Sequence, residues 1–105
     1  IHIHENGSCA EKGDGAGGHF NPDKRPHGNL AHRGHAEAHA GDMGNVEIDD
    51  KGNGSFKFLL GASSLHEGRY NVAGKAIILH EKADDFGQPT GNAGGRIGCG
   101  VIPNP

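Results

Sequence analysis

The sequence is poor in the large apolar side chains that usually fill a protein core. Its 105 residues include no tryptophan, one tyrosine and four phenylalanines, and hydrophobic residues make up 32% of the total. A chain of this length forms one domain at most, and its low apolar content leaves little material for a core. We therefore expect a single domain over residues 1–105, in which any crosslink would matter a good deal.

Long apolar runs and clusters of basic residues are missing as well. No run approaches the roughly 18 apolar residues of a membrane-spanning helix. Ten Lys and Arg residues against thirteen Asp and Glu residues give a net charge of −3, with no basic patch. We therefore expect neither a membrane nor nucleic acid as a partner.

Cysteine is scarce, and the two cysteines lie near opposite ends of the sequence, at positions 9 and 99. They form no CxxC pair, which argues against redox exchange and against a zinc knuckle. One disulfide closing about 90 residues would constrain the unfolded chain by roughly 4–5 kcal/mol. Such a bond would favour an oxidising compartment, with two free thiols as the alternative.

Two residue types are unusually common, namely histidine with nine residues and glycine with twenty. Glycine at this level favours turns, long loops and close approaches of the backbone. Any single loop histidine is most often plain polar surface. Nine of them nevertheless indicate metal binding, because imidazole is the commonest metal-binding side chain.

Alternating apolar and polar residues predict an all-β chain with two long functional loops. A hairpin signal, KGNG, separates two of the predicted strands. Within the first loop, AHRGHAEAHAGD could form a helical turn or two that carries His35 and His39. The predicted strands cover 1–4, 45–50, 54–61, 73–81 and 95–102, and the predicted loops cover 5–45 and 81–95.

The histidines fall into a pattern that suits metal coordination. In the first strand, His2 and His4 would share one face, and His80 would end another strand. Three or four imidazole nitrogens suit Cu(II), whereas three nitrogens and one carboxylate suit Zn(II). The glycine-rich first loop holds a set of the second kind: His19, His27, His39 and Asp42. This pattern predicts a metal site and leaves the number of metals open.

Six blocks of the sequence occur in the order found in copper–zinc superoxide dismutases: HIHENGSC, GGHFNP, HG, HAGDMGNV, LHEKADD and GNAGGRIGCGVI. The chain thus resembles that family, with a bacterial-like front and a eukaryotic-like C-terminal half. The resemblance implies a Greek-key β-barrel whose first three strands would precede residue 1. We therefore expect an N-terminally truncated domain that forms a homodimer or a strand-complementing oligomer.

The resemblance also assigns roles to individual residues. The implied copper ligands are His2, His4, His19 and His80. The implied zinc ligands are His19, His27, His39 and Asp42, so that His19 is shared between the two metals. In the same way Asp84 would join a copper ligand to a zinc ligand, Arg96 would lie beside the copper, and Thr90 would lie opposite Arg96 in the access channel. Cys9 and Cys99 match the disulfide of the family.

By the same resemblance, the chain would convert superoxide to O₂ and H₂O₂ by alternating reduction and oxidation of copper. Arg96 would guide the anion, His19 would take up a proton, and zinc would order the first loop. The alternative is a non-catalytic copper- and zinc-binding protein, either a carrier or a degenerate domain. A periplasmic or secreted location is favoured, with the cytoplasm as the alternative. The pattern leaves His32, His35 and His66 unmatched; we expect them on the surface, although His35 could compete for zinc.

Overall fold

A computed structural model describes residues 1–104 of the chain. Its central element is a three-stranded antiparallel sheet with the strand order β1-β2-β3. The strands are β1 (His2–His4), β2 (Ala76–His80) and β3 (Arg96–Val101). Each lies inside a segment for which the alternating pattern predicts a strand, so the prediction is confirmed for these three.

The register of the sheet decides where the histidines of β1 point. His2 pairs with Ile78 and His4 pairs with Ala76, so these four residues share one face. All four are buried. The pairing of β2 with β3 shifts between Leu79 and His80, where His80 faces Arg96. The sheet therefore brings the histidines of β1 and the end of β2 to the same edge.

Two further predicted strands, 45–50 and 54–61, are wrong. Neither segment pairs with another strand in the part of the chain that the structure describes. The turn between them is present: Asp49 accepts hydrogen bonds from Gly52 and Asn53. Alternation shows which side chains could share a buried face, but a strand also needs a neighbour to pair with. Leu59 illustrates the lack of cover, since it is 92% exposed.

The long first loop contains two short helical pieces. A 3-10 segment over Glu11–Ala16 is kinked where Lys12 and Gly13 have positive φ angles. A single α-helical turn, α1, covers Leu30–Arg33 and ends at Gly34. The sequence predicted a turn that would include His35 and His39, so the helix exists but lies N-terminal to both.

The apolar core is small and surrounds the first strand. Its largest cluster consists of Ile3, Phe20, Ala40, Met43 and Val72. Ile3 sits on the opposite face of β1 from the two histidines, as the period of a strand requires. Burial of five residues contributes a few kcal/mol each at most, which is little for 105 residues.

A disulfide joins Cys9 to Cys99 and so confirms the pairing that the family resemblance implies. It connects the segment after β1 to the middle of β3. The described residues contain no free cysteine. Within residues 1–104, no helix has both the length and the apolar character needed to cross a bilayer.

Candidate metal centre

A ladder of three backbone hydrogen bonds brings the first loop against β1. The amide of Phe20 donates to Ile3 (2.8 Å), the amide of Ile3 donates to Gly41 (2.9 Å), and the amide of Gly41 donates to Phe20 (3.0 Å). A Cβ at Gly41 would lie 2.3 Å from the Ile3 carbonyl oxygen, so only glycine fits this approach. The ladder fixes His19 and His39, which immediately precede Phe20 and Ala40, beside the histidines of β1.

The first group of ligand atoms lies at the edge of the sheet. One ligand atom from each of four histidines lies within 4.8 Å of the others, and the four are His2, His4, His19 and His80. The ring of His2 stacks on the ring of His19 with centroids 4.0 Å apart. The predicted copper ligands are therefore brought together by the fold.

A second group surrounds the carboxylate of Asp42. Its Oδ1 lies 3.3 Å from His19 Nδ1, 3.0 Å from His27 Nδ1 and 3.4 Å from His39 Nδ1. The Nδ1 atoms of His19 and His39 are 3.0 Å apart. Zinc–nitrogen bonds of about 2.0–2.1 Å give a tetrahedron whose edges are roughly 3.3 Å long. The spacing of these four atoms thus fits a tetrahedral zinc ion.

His2 lies close enough to this second group to belong to both. A ligand atom of His2 is within 4.8 Å of ligand atoms of His19, His27 and Asp42. The two groups therefore touch, and His19 is common to them.

Five buried polar atoms in these groups have no hydrogen-bond partner. They are His2 Nδ1, His4 Nε2, His80 Nε2, His27 Nδ1 and Asp42 Oδ1. Although His27 Nδ1 and Asp42 Oδ1 are 3.0 Å apart, they are not aligned as a hydrogen bond. Leaving a buried polar atom without a partner costs about 1–3 kcal/mol. So many in one place fit metal ligands, which point at an ion rather than at each other.

The second nitrogen of each of these rings is engaged. His4 Nδ1 donates to the carbonyl of Gly17 at 2.8 Å, and His80 Nδ1 donates to the carbonyl of Gly94 at 3.2 Å. Such a bond fixes both the tautomer and the orientation of a ligating imidazole. In His4 and His80 the free nitrogen is therefore Nε2.

Asp84 connects the two groups. Its buried carboxylate accepts from His2 Nε2 at 2.7 Å and from His27 Nε2 at 2.8 Å. The amide of Phe86 donates to the same carboxylate at 2.8 Å. The backbone of Asp84 is held in turn by the side chain of Asn45, through bonds of 2.7 and 3.0 Å. Asp84 therefore joins one member of each group, as the resemblance implies.

Asn45 and Gln88 were missed by sequence reasoning. The Gln88 side chain accepts from the His27 amide at 2.9 Å and donates to the His27 carbonyl at 2.6 Å. Both residues hold a metal-group residue from a neighbouring loop. Nothing in the local sequence distinguishes these two amides from others in loops, because their partners lie 39 and 61 residues away.

A cavity of about 190 Å³ opens at the first group. His4, His19 and His80 line it together with Thr90 and Arg96. The guanidinium of Arg96 is held by two carbonyls, Gly13 and Gly17, each at 2.7 Å. Asp14 lies farther away, at 3.8 Å, and is largely exposed. Arg96 and Thr90 therefore share a cavity with three of the predicted copper ligands.

Burial keeps several of these histidines uncharged. It lowers the pKa of His4 to about 4 and that of His2 to about 3. Burial also lowers the pKa of His19 and of His80. Metal ligands must be deprotonated, so these rings are in the binding form at neutral pH.

The acidic side of the site has the opposite character. Burial raises the pKa of Asp42, but hydrogen bonds from His19, His27 and His39 more than offset this and lower it overall. Burial likewise opposes charge on His27, yet its bonds to Asp42 and Asp84 raise its pKa overall. The second group is therefore anionic at neutral pH, which favours a divalent cation.

The three unmatched histidines lie outside both groups. His32 and His66 are exposed. His35 Nε2 donates to the carbonyl of Gly61 at 3.2 Å. The expectation that His35 could compete for zinc is therefore wrong: the ring is turned to another part of the chain.

Comparison with known proteins agrees with this geometry. The family model for copper/zinc superoxide dismutase matches residues 1–102. "Superoxide dismutase [Cu-Zn] 1" of Aquifex aeolicus is 44% identical over 108 residues, which cover 97% of this chain and 62% of that protein. "Superoxide dismutase [Cu-Zn] A" of Xenopus laevis is 41% identical over 97% of this chain and 69% of that protein.

A crystal structure of the clock protein EA4 has a TM-score of 0.87 and 38% identity, covering 99% of this chain and 68% of that one. The chain spans about half to two thirds of the length of most of the curated relatives it matches. Copper and zinc are the metals in the names of the relatives, and both groups of buried ligands are consistent with them. The chain belongs to the copper/zinc superoxide dismutase family.

Proposed function

We propose that this chain carries the catalytic centre of a superoxide dismutase. One observation supports this above the others: the cavity at His4, His19 and His80 also contains the cation of Arg96. A site built only to hold metal has no need of a fixed cation beside its ligands. A site that must attract a small anion to a metal does.

Each metal has its own set of ligands in this proposal. Copper would be held by His2 Nδ1, His4 Nε2, His80 Nε2 and His19. Zinc would be held by the Nδ1 atoms of His19, His27 and His39 and by Asp42 Oδ1. The support for the copper set is the unpartnered nitrogens of its first three members. The support for the zinc set is the 3.0–3.4 Å spacing around Asp42 Oδ1.

Copper, when bound, supplies the one-electron chemistry by which two superoxide ions and two protons become O₂ and H₂O₂. Arg96 supplies the binding of the anion. Its guanidinium stays protonated at all relevant pH values. Two carbonyl acceptors hold it in place without neutralising its charge. A focused positive potential in a cleft raises the arrival rate of an anion by 10-fold or more.

His19 is the residue suited to handling a proton. Its Nδ1 lies among the zinc ligands, 3.3 Å from Asp42 Oδ1. Its Nε2 is therefore the atom that would hold and release a proton on the side of the cavity. Burial lowers the pKa of this ring, so that a proton taken up there is readily given away.

Location and assembly are proposed on weaker grounds. The disulfide and the extracellular superoxide dismutases among the relatives fit an oxidising or secreted location. We propose a periplasmic or secreted protein. We also propose a homodimer or a strand-complementing oligomer, because Ile97 and Val101 of β3 are 65% and 50% exposed.

The alternative is a protein of the same family that binds copper and zinc without turnover. The EA4 structure supports considering it, since its title describes a clock protein. Measuring bound metal and superoxide decay on one preparation separates the two. A dismutase accelerates decay in proportion to its copper, whereas a binding protein holds the metals and leaves the decay unchanged.

Reversing the charge in the cavity tests the role of Arg96. Arg96→Glu should slow superoxide decay at least 10-fold while the copper content stays the same. Arg25→Glu, which changes an exposed arginine outside the cavity, is the matched control. Equal rates for both variants would contradict the assignment of Arg96.

A further inference from the structure

Outside the metal centre, four polar side chains form a cluster that touches the metal-binding loop on both of its arms. They are Asp23, His35, Arg69 and Tyr70, called here the Tyr70 cluster. The carboxylate of Asp23 accepts from the hydroxyl of Tyr70 and from Arg69 Nε. A third bond runs from Arg69 Nη2 to the carbonyl of Pro22 at 2.9 Å.

The other arm of the loop meets the same tyrosine. The ring of His35 packs on the ring of Tyr70 with centroids 4.5 Å apart and planes tilted by 37°. The Nε2 of His35 also bonds to the carbonyl of Gly61 at 3.2 Å. One aromatic side chain is thus in contact with both arms.

The positions of these contacts along the loop are informative. Asp23 lies four residues after His19 and four before His27, and His35 lies four residues before His39. Each of the three histidines whose Nδ1 surrounds Asp42 is therefore within four residues of a contact with the Tyr70 cluster. Without these contacts, the loop between Phe20 and Ala40 would be held mainly at its two ends and at His27.

Tyr70 is itself firmly anchored. It packs against the core cluster that contains Ile3, Phe20 and Val72. Its carbonyl accepts from the amide of Ser64 at 3.2 Å, and the carbonyl of Ser64 accepts from the amide of Val72 at 2.9 Å. The cluster therefore ties the loop to the core rather than to another mobile segment.

Charge strengthens the contact with the first arm. Hydrogen bonds from Tyr70 and Arg69 lower the pKa of Asp23. The carboxylate is accordingly ionised at neutral pH, and hydrogen bonds to ionised groups are the stronger kind.

We propose that the Tyr70 cluster is a positioning device for the zinc ligands, which holds both arms of the loop in the geometry of the bound state and slows the release of zinc. This inference rests on the proposed function, because it requires zinc at Asp42. The residues of the cluster do not touch the ligand atoms; they act through the backbone of the loop. A loop that is already ordered loses less entropy when the ion binds.

Zinc release from the full, disulfide-bonded, metal-loaded chain tests the proposal. A chromogenic chelator in excess reports the rate. Tyr70→Phe removes only the hydroxyl bonded to Asp23 and should release zinc roughly 3- to 10-fold faster. His35→Ala removes the ring contact and should act in the same direction. His32→Ala is the matched control, since His32 is an exposed histidine of the same loop.

Two further measurements separate positioning from a general loss of stability. Cobalt placed in the zinc site should show altered visible absorption bands in Tyr70→Phe, while the urea midpoint of the metal-free protein stays the same. Asp23→Asn combined with Tyr70→Phe should release zinc no faster than the faster single variant, because the two share one hydrogen bond.

The possible failures are distinguishable. Zinc release at the wild-type rate from both Tyr70→Phe and His35→Ala would overturn the inference and leave the proposed function standing. Faster release accompanied by an equal loss of stability in the metal-free protein would also overturn it. A wild-type chain that takes up no zinc would overturn the proposed function and this inference together.

Discussion

Replacing Asp84 with asparagine tests the link between the two ligand groups. The buried carboxylate accepts from His2 Nε2, His27 Nε2 and the amide of Phe86, all at 2.7–2.8 Å. Asparagine has nearly the same shape but only one acceptor oxygen. Its amide group would face one of the two imidazole N–H groups, so that a donor would meet a donor in a site closed to water.

The expected magnitude follows from these contacts. A hydrogen bond to a charged group contributes about 1.5–3 kcal/mol, and a buried donor left unsatisfied costs a similar amount. Loss of an outer partner of a ligating histidine typically weakens metal binding 10- to 100-fold. We therefore expect Asp84→Asn to lose 10- to 100-fold in affinity for at least one metal.

Competition titrations against chelators of known affinity, run separately for copper and zinc, measure this effect. Asp85→Asn is the matched control, because Asp85 is the exposed neighbour and bonds to Gly87 and Asn92 rather than to any histidine. Affinities of Asp84→Asn within 2-fold of the wild type for both metals would refute the reasoning.

Three more predictions concern the crosslink, one glycine and pH. Replacing both Cys9 and Cys99 with alanine should lower the free energy of unfolding by roughly 4–5 kcal/mol in urea titrations; a loss below about 1 kcal/mol would show that the 90-residue closure does not constrain the unfolded chain. Gly91→Ala should weaken zinc binding in chelator competition, because a Cβ there would lie 1.9 Å from Asp84 Oδ1 at a φ of +84°, whereas Gly52→Ala, at a φ of +83° with open space around it, should bind zinc normally; equal zinc affinities in the two variants would contradict the steric argument. The metal-free protein should lose stability as pH falls from about 6.5, because the unfolded chain then binds protons that the folded one refuses; with the pKa of His4 lowered to about 4, that residue alone should account for about 2 kcal/mol between pH 7.5 and pH 5, and a urea midpoint that does not change over this range would argue against the buried neutral ring.

The sequence predicts the metal centre better than it predicts the rest of the fold. His2 and His4 alternate along a strand, and that period alone puts both rings on one face. The remaining ligands come from loops, where spacing says little about position. Their grouping was predicted because six blocks of the sequence resemble one family, and not because of any local periodicity.

The strands predicted at 45–50 and 54–61 show where pattern reasoning fails. Both segments alternate correctly, and the turn between them forms through Asp49. A strand nevertheless depends on hydrogen bonds to a neighbour that its own sequence cannot specify. Phe56 and Phe58 do stack with ring centroids 5.9 Å apart, so that the shared face exists without the ladder.

The supporting contacts of the site were also beyond prediction. Gln88 binds both backbone groups of His27, and Asn45 binds both backbone groups of Asp84. Amide side chains carry no charge or periodic signal, and their partners are distant in sequence. Contacts of this kind become visible only once the loops have been placed.

The most direct test of the central claim is the decay of superoxide, followed by pulse radiolysis, in the presence of the chain loaded with about one copper and one zinc. The account predicts decay that is much faster than in buffer, proportional to bound copper, and lost when copper alone is removed. Stoichiometric binding of both metals with decay no faster than in buffer would contradict it.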